Sequence, residues 1–348
     1  MPTRTVHANG IAQAVTEWGS PDGAPVLLIH GNCSSGAFWE PFVRRLIPVS
    51  KVHVVAPDLR GYGHSQPAPV DATRGLRDFA DDVAELLDLV FGAGARPVVA
   101  GHSMGGGVAM QLLIDHPQRV AALLLESPVS PYGFGGTRDV AGNPTTEDFA
   151  GTGAGTANPA FVGRLAAKDR GSDGDPTSPR QVMRTTYVAD PEAFGGDEEA
   201  MLETVLSTVV GEENYPGDAT TVSGWPGMGP GTRGVLNAMS PKYFRVADEL
   251  LALPTKPPVV WVHGSADAIV GDATLFDFAQ LGKLGIVPGW PGQQQCPPQP
   301  MVSQTRSVFE RYAAAGGSFR EVLLDGCGHS PHIERPAEFL DALLTLLR

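Results

Sequence analysis

Ser103 is the residue whose neighbours best prepare it for chemistry. It lies in Gly101-His102-Ser103-Met104-Gly105, between an apolar run at 97–100 and a second run at 108–113. The first run reads as a buried strand and the second as a helix, so the serine falls on a sharp strand-to-helix turn. Such a turn forces a strained backbone, and its close neighbours crowd one another unless they are glycine. Gly101 and Gly105 occupy those places. The strain lifts the hydroxyl above the sheet edge, and the helix N-terminus behind it favours developing negative charge. A serine hydroxyl is a poor nucleophile until a base takes its proton, and a side chain that titrates near neutrality is a histidine. The imidazole in turn needs a carboxylate to orient it, and the oxyanion needs N–H donors. Against this stands a plainer reading, a glycine-rich turn with an incidental serine. The strand and helix that flank the motif favour the chemical one.

The rest of the chain bounds what that chemistry could serve. It has 348 residues, 42% of them hydrophobic, enough for one large core and a second small one. A net charge of −13 argues against nucleic acid and anionic membrane surfaces, both of which select basic patches. No run of 18 apolar residues predicts a membrane span. The first 15 residues lack a charged head followed by an apolar block, so the expectation is a cytoplasmic protein with no signal peptide. Three cysteines make no disulfide framework. Cys296 and Cys327 could pair in an oxidising setting, but free thiols are expected. No C-x-x-C or H-E-x-x-H spacing suggests a metal.

Strands and helices must alternate to place Ser103 at a sheet edge. Residues 3–17 alternate around Asn9-Gly10, a hairpin signal. The apolar runs 25–30, 52–56, 119–125 and 258–263 read as strands buried on both faces. Residues 37–47 read as a helix with Pro41 in its first turn. Residues 74–91 read as an amphipathic helix, with Leu76, Phe79, Val83, Leu86, Leu87 and Val90 on one face. Helix 302–315, strand 319–324 and helix 336–347 close the chain. This rhythm predicts an α/β fold with a mostly parallel sheet covered on both faces. It breaks between residues 128 and 255, where Gly- and Pro-rich stretches surround helical islands, the clearest at 197–210. The aromatic and Met content of this region argues against a disordered linker and for an inserted cap. The expected division is thus 1–127 and 256–348 as core, with 128–255 as cap. A second irregular stretch, 282–300, reads as a surface loop.

With these pieces in order the chain resembles the α/β-hydrolase superfamily over residues 1–127 and 256–348. The resemblance rests on H-G at 30–31, D-x-R-G-x-G-x-S at 58–65, G-H-S-M-G-G at 101–106, D-x-I-V at 267–270 and G-H-x-x-x-x-E-x-P at 328–336. Residues 128–255 look like the family's variable lid. The resemblance implies Ser103 as nucleophile and His329 as base, with His332 as a nearby rival. Of the remaining histidines, His30 reads as a support for its loop, and His102 should point away from the site. His7, His53, His64, His116 and His263 lie on strands or turns without the right context. Two carboxylates compete as the triad acid. Asp267 holds the usual family position, whereas some relatives place the acid where Glu126 ends its strand. Met104 and Asn32 are the implied backbone donors of the oxyanion hole. The 58–60 loop reads as a brace for the site.

A serine at position 103 excludes the relatives that attack through aspartate. The expected reaction is acyl transfer to water with no cofactor and no metal, that is, hydrolysis of a carboxylic ester. A lactonase or a carbon–carbon bond hydrolase with the same triad is the alternative, and a non-catalytic receptor on this fold the remote one. A bulky hydrophobic or aromatic small-molecule ester is the expected substrate. Cys33, Tyr132, Phe134, Trp225 and Met228 are candidates for its pocket wall, each of which could equally be a packing residue.

Overall fold

The Asn9-Gly10 turn nucleates the first hairpin. Both residues have positive φ (49° and 73°), as the mirror-image turn that matches strand twist requires. A computed structural model describes residues 3–171 and 174–348. Numbering only the strands of the central sheet, the hairpin joins β1 (Thr3–Ala8) to β2 (Ile11–Gly19). β3 (Ala24–Ile29), β4 (Val52–Pro57), β5 (Val98–His102) and β6 (Ala122–Glu126) follow, then β7 (Val259–Gly264) and β8 (Phe319–Leu324). Their spatial order is β1-β2-β4-β3-β5-β6-β7-β8. Only β2 runs against its neighbours; from β4 to β8 every pairing is parallel. β3, β4, β5 and β6 have the continuous apolar character of strands covered on both faces.

Helices α1 (Glu40–Leu46), α2 (Arg77–Phe91), α3 (Met104–Asp115), α4 (Met301–Ala314) and α5 (Pro336–Leu346) supply the cover. One face of the sheet carries Leu27, Val55, Val99, Leu123 and Leu125 against α2 and α3. The other carries Val26, Val54, Ala100 and Leu124 against α1 and α5. The alternation of burial partners along each strand follows from its two-residue period. The sequence-predicted elements of the core are all present. Their ends shift by a few residues: the 37–47 helix begins as a 3-10 turn, and the helix expected over 74–91 starts at Arg77, after a 3-10 turn at Ala72–Arg74.

Between β6 and β7 the chain forms short helices, including Pro159–Ala166 and Glu198–Leu206, and two small two-stranded ladders. The 197–210 island is thus a helix only to Leu206. Val209 instead gives its N–H to Gly61 O at 2.9 Å. Met183, Tyr187, Phe194, Leu202 and Val205 of this segment belong to the same buried cluster as Phe38, Leu76 and Val108 of the rest. The segment therefore packs as an extension of one apolar core.

The 282–300 stretch is more than a loose surface loop. It docks on the segment just described, with Trp225 donating its indole N–H to Pro288 O (2.8 Å), and is closed on itself where Trp290 donates to Cys296 O (2.8 Å). Gln299 is buried, donating through Nε2 to Gly133 O and to Gln304 Oε1. Cys33, Cys296 and Cys327 are buried free thiols. No helix among the described residues is long and apolar enough to cross a membrane.

Candidate active site

β5 ends at His102, and the next residue turns the chain into α3. Ser103 has φ 56° and ψ −119°, the strained conformation expected from its position. The neighbouring glycines are required by backbone contact. A Cβ at Gly101 would stand 2.3 Å from Gly105 O, and one at Gly105 would stand 2.3 Å from Ile29 O and 2.5 Å from His30 O. Gly101 therefore clears the turn itself, whereas Gly105 clears β3. Gly105→Ala should cost about 3 kcal/mol or more, because rigid sheet carbonyls cannot yield as a side chain could. Chemical denaturation of the variant checks this, and wild-type stability would refute the packing argument.

The loop after β3 lies directly on the serine. A Cβ at Gly31 would be 3.0 Å from Ser103 Cβ. This brings the Asn32 peptide beside Ser103, while the Met104 N–H sits in the first turn of α3, where no intrahelical acceptor exists. His30 braces this loop as expected: Nδ1–H donates to Gly31 O (2.8 Å) and Nε2 accepts from Leu59 N–H (3.0 Å). Those two partners fix a neutral tautomer, and burial pushes its pKa down. Asp58 ties its own loop through Gly36 N–H and His64 N–H, both at 2.8 Å, and Arg60 pairs bidentately with Asp82. The 58–60 loop is thus tied to the 36 turn and to α2, consistent with a bracing part.

β7 and β8 deliver the acid and the histidine. After β7, Asp267 Oδ1 accepts the N–H groups of Ile269 (2.8 Å) and Val270 (2.9 Å). The carboxylate then faces His329 Nδ1 at 2.8 and 3.0 Å, with each side chain only 2% exposed. Gly264 permits this approach, since a Cβ there would meet Cys327 O at 2.0 Å. Glu126 makes a different pair. Both its oxygens lie 2.9 Å from His332 Nδ1, and Oε1 accepts the His332 N–H at 2.6 Å. Each of two histidines three residues apart therefore has its own carboxylate.

The His102 ring lies among Phe38, Trp39, His329 and His332. Its Nε2–H donates to His329 O at 3.1 Å, and the two rings lie 4.8 Å apart. This bond fastens the His329 loop to the residue before Ser103. No hydrogen bond joins Ser103 Oγ to His329 Nε2 among the described residues; such contacts often tighten only around substrate. Glu334 supplies a further tie, accepting Gly328 N–H (2.6 Å) through one oxygen and Ala189 and Asp190 N–H (3.0 Å each) through the other. The sequence offers Glu334 only as a letter of a motif, and gives no signal for the role of His102.

The pocket candidates divide. Cys33 lies on the loop after β3 with φ 47°, and burial pushes its thiol up to about 12, so it is protonated at neutral pH. Tyr132 packs against Gly142 and under the Arg245 guanidinium. Phe134 gives its N–H to Met239 O, Trp225 lies on Gly282, and Met228 lies beside Gly155 and pairs with Thr221. The Tyr132, Trp225 and Met228 side chains thus make packing contacts, and the bond of Phe134 is a backbone one. Around Asn32 stand instead Tyr62, whose hydroxyl reaches Asn32 Oδ1 (2.7 Å), and Tyr187. A surface hollow of about 730 Å³ lined by Trp18, Val43, Ile47 and His53 contains none of the candidate residues. No group of three or more His, Cys, Asp or Glu among the described residues is placed to hold a metal ion.

Burial of the histidines has a consequence for stability. His30, His102 and His263 are all pushed below their ordinary value of 6.5, in each case chiefly by desolvation. Below pH 6.5 the unfolded chain takes up these protons and the folded one does not, so stability falls with falling pH. Asp277, raised by burial to about 6, and Asp82, raised less, work the other way between their ordinary value of 3.8 and their folded values. Between pH 6 and 6.5 the histidines act with least opposition, and at lower pH Glu17, Asp139, Asp148 and Glu321, all held below their ordinary values, add to the loss. The melting temperature should therefore be flat between about pH 7 and 8, where neither the histidines nor the buried thiols titrate in the unfolded chain, and begin to drop below about 6.5. A melting temperature that rises on acidification to pH 6 would contradict this.

Residues 26–342 match the model of the alpha/beta hydrolase family. Over 107 residues the chain is 43% identical to a protein of Variovorax paradoxus named putative carbamate hydrolase RutD, covering 31% of this chain and 39% of that protein. Over 103 residues it is 39% identical to the pimeloyl-[acyl-carrier protein] methyl ester esterase of Vibrio campbellii, covering 29% and 36%. The chain thus spans well under half the length of these relatives. The structure superposes on a putative aryl esterase from Burkholderia cenocepacia with a TM-score of 0.63 at 19% identity, over 100% of this chain and 98% of that one, a likeness of fold. With its parallel sheet, its glycine-bounded serine turn and a family match covering most of its length, the chain belongs to the alpha/beta hydrolase family.

Proposed function

We propose that this protein is a serine hydrolase that cleaves a small-molecule carboxylic ester through an acyl-enzyme. The observation that carries the reading is the Asp267–His329 pair, formed through Nδ1. That pairing leaves Nε2 as the free nitrogen of an imidazole whose loop is bonded to the residue before Ser103. The same pairing supports Asp267 as the triad acid in preference to Glu126, which is engaged by His332.

In the first half-reaction Ser103 Oγ bonds to the substrate carbonyl carbon while its proton passes to His329 Nε2. Asp267 holds the ring and stabilises its charged form. The carbonyl oxygen becomes an oxyanion that accepts the N–H groups of Met104 and Asn32, each such donor being worth about 3 kcal/mol. Collapse breaks the bond to the alkoxide, which leaves with the proton from His329. Water then repeats the sequence on the acyl-enzyme, His329 taking its proton, to release the acid and restore Ser103. The carbamate hydrolase and methyl ester esterase named among the relatives would both require attack on a carbonyl of this kind. Lactones present the same carbonyl, so they belong in the test. The aromatic side chains around Asn32 favour an apolar or aromatic acyl group over a charged one.

The test is fluorophosphonate labelling of the purified chain with peptide mapping. It is paired with turnover of p-nitrophenyl esters of graded chain length, an aryl carbamate and a set of lactones. Labelling at Ser103 with ester turnover is the expected result. Absence of labelling at Ser103 overturns the serine mechanism, and ring-opening without ester cleavage would move the substrate to lactones.

A further inference from the structure

We propose that Tyr187, from the segment between β6 and β7, is a positioning residue for the oxyanion hole, and that residues 187–190 hold the oxyanion loop and the His329 loop in mutual register. The proposal rests on the serine-hydrolase reading above and goes beyond it.

Tyr187 closes a π-helical turn, Met183–Tyr187, that continues the short helix Pro179–Val182. Such turns re-aim a side chain that a regular helix would place elsewhere. Its hydroxyl donates to Cys33 O at 2.9 Å and lies 3.3 Å from Asn32 O. These are the two carbonyls of the loop whose Asn32 N–H is to meet the oxyanion. That loop is not self-supporting, because Cys33 has a left-handed φ of 47° without being glycine. The surroundings must hold it: His30 ties its start at Gly31, and Tyr62 and Tyr187 hold it at residues 32–33. Tyr62 fixes the Asn32 side chain (2.7 Å), while Tyr187 fixes the backbone. The Tyr187 ring is itself set edge-to-face on Phe38, 6.0 Å between centroids at 83°.

The same segment reaches the other half of the site. A Cβ on Gly328 would stand 2.4 Å from Ala189 N, so residues 188–189 lie flat on the residue before His329. Glu334 then bonds Ala189 and Asp190 N–H with one oxygen and Gly328 N–H with the other. One tetrapeptide thus touches the loop that offers the oxyanion donor and the loop that offers the base. A small shift in an oxyanion donor is felt in the transition state more than in the ground state, because the charge it meets exists only there.

The test is Tyr187→Phe in the full chain, which keeps the ring packing and removes only the hydroxyl. The variant should lose roughly tenfold in the second-order rate of fluorophosphonate labelling at Ser103 and in kcat for p-nitrophenyl acetate, with KM within about twofold. Its affinity for phenylboronic acid, whose tetrahedral adduct places an oxygen in the same hole, should fall in parallel. A merely structural role would lower the melting temperature and leave these ratios unchanged, and that result overturns the proposal. Should Tyr187→Phe not fold, Glu334→Gln, which can accept only one of the two sets of N–H groups, should give the same kcat-weighted loss; wild-type kinetics there likewise overturn it. Failure of the wild type to label at Ser103 is a different outcome, and defeats the serine reading instead.

Discussion

Ser103→Ala should lower kcat/KM for p-nitrophenyl esters by roughly 10⁴ or more while leaving the protein as stable as before. The two halves of this expectation have separate causes. The rate loss follows because no other group stands on the turn to form the acyl bond, and what survives is the contribution of binding and the oxyanion donors alone. The stability is retained because the Ser103 hydroxyl makes no hydrogen bond among the described residues. Its removal leaves no orphaned partner, and alanine keeps the same Cβ in the same strained backbone. Unfolding free energy should stay within about 0.5 kcal/mol of wild type. Steady-state kinetics and urea denaturation of one preparation check both halves. A variant that retains a tenth of wild-type activity would remove Ser103 from the chemistry.

The second large effect separates two carboxylates that end neighbouring strands. Asp267→Asn should reduce kcat by about 10³ to 10⁴ with little change in stability. The amide cannot hold the His329 tautomer or stabilise its charged form, although it fills the same space. Glu126→Ala should do the reverse. Its carboxylate accepts both the N–H and the Nδ1–H of His332 where both side chains are wholly buried. Removal leaves the buried His332 amide N–H without an acceptor and a cavity beside a ring whose other nitrogen faces only Phe38 O at 3.4 Å, at a cost of about 3–5 kcal/mol. Activity of the fraction that stays folded should fall far less, because the base of the proposed mechanism is His329 and Glu126 pairs with His332. The crossed pattern is the expected result. Glu126→Ala inactive at full stability, with Asp267→Asn active, would reverse the assignment.

The pairing of these carboxylates marks where sequence reading reaches its limit. Glu126 ends β6 and Asp267 follows β7, and the two strands are neighbours, with Val262 opposite Glu126. Both carboxylates therefore arrive at one edge of the sheet, close to both histidines of the 328–336 motif. Residue type and spacing admit either assignment. The choice is made by which ring each carboxylate faces, and the loop path between Asp267 and His329 decides that. The tyrosines illustrate the same point at longer range. Tyr187 meets Asn32 across 155 residues of chain and Tyr62 meets it across 30, and nothing near any of the three announces the contact. The aromatic residues singled out as a pocket wall make the same point, since the rings of Trp225 and Tyr132 pack on Gly282 and on Gly142 with Arg245, contacts that composition does not announce.

What the sequence determined by itself is local and periodic. Apolar runs with a two-sided burial pattern made β3 to β6 recognisable, Asn9-Gly10 made the hairpin, and two glycines around Ser103 made the strained turn. Each follows from the covalent geometry of a few adjacent residues, so a short window contains the whole cause. What only the tertiary structure decided is partnership: His329 with Asp267, His332 with Glu126, Tyr187 with the loop at 32–33, and the 282–300 stretch with the segment before β7. Those contacts depend on strand order and on the path of long loops, which place side chains to within an ångström. No pattern of residue types over a few positions carries that information.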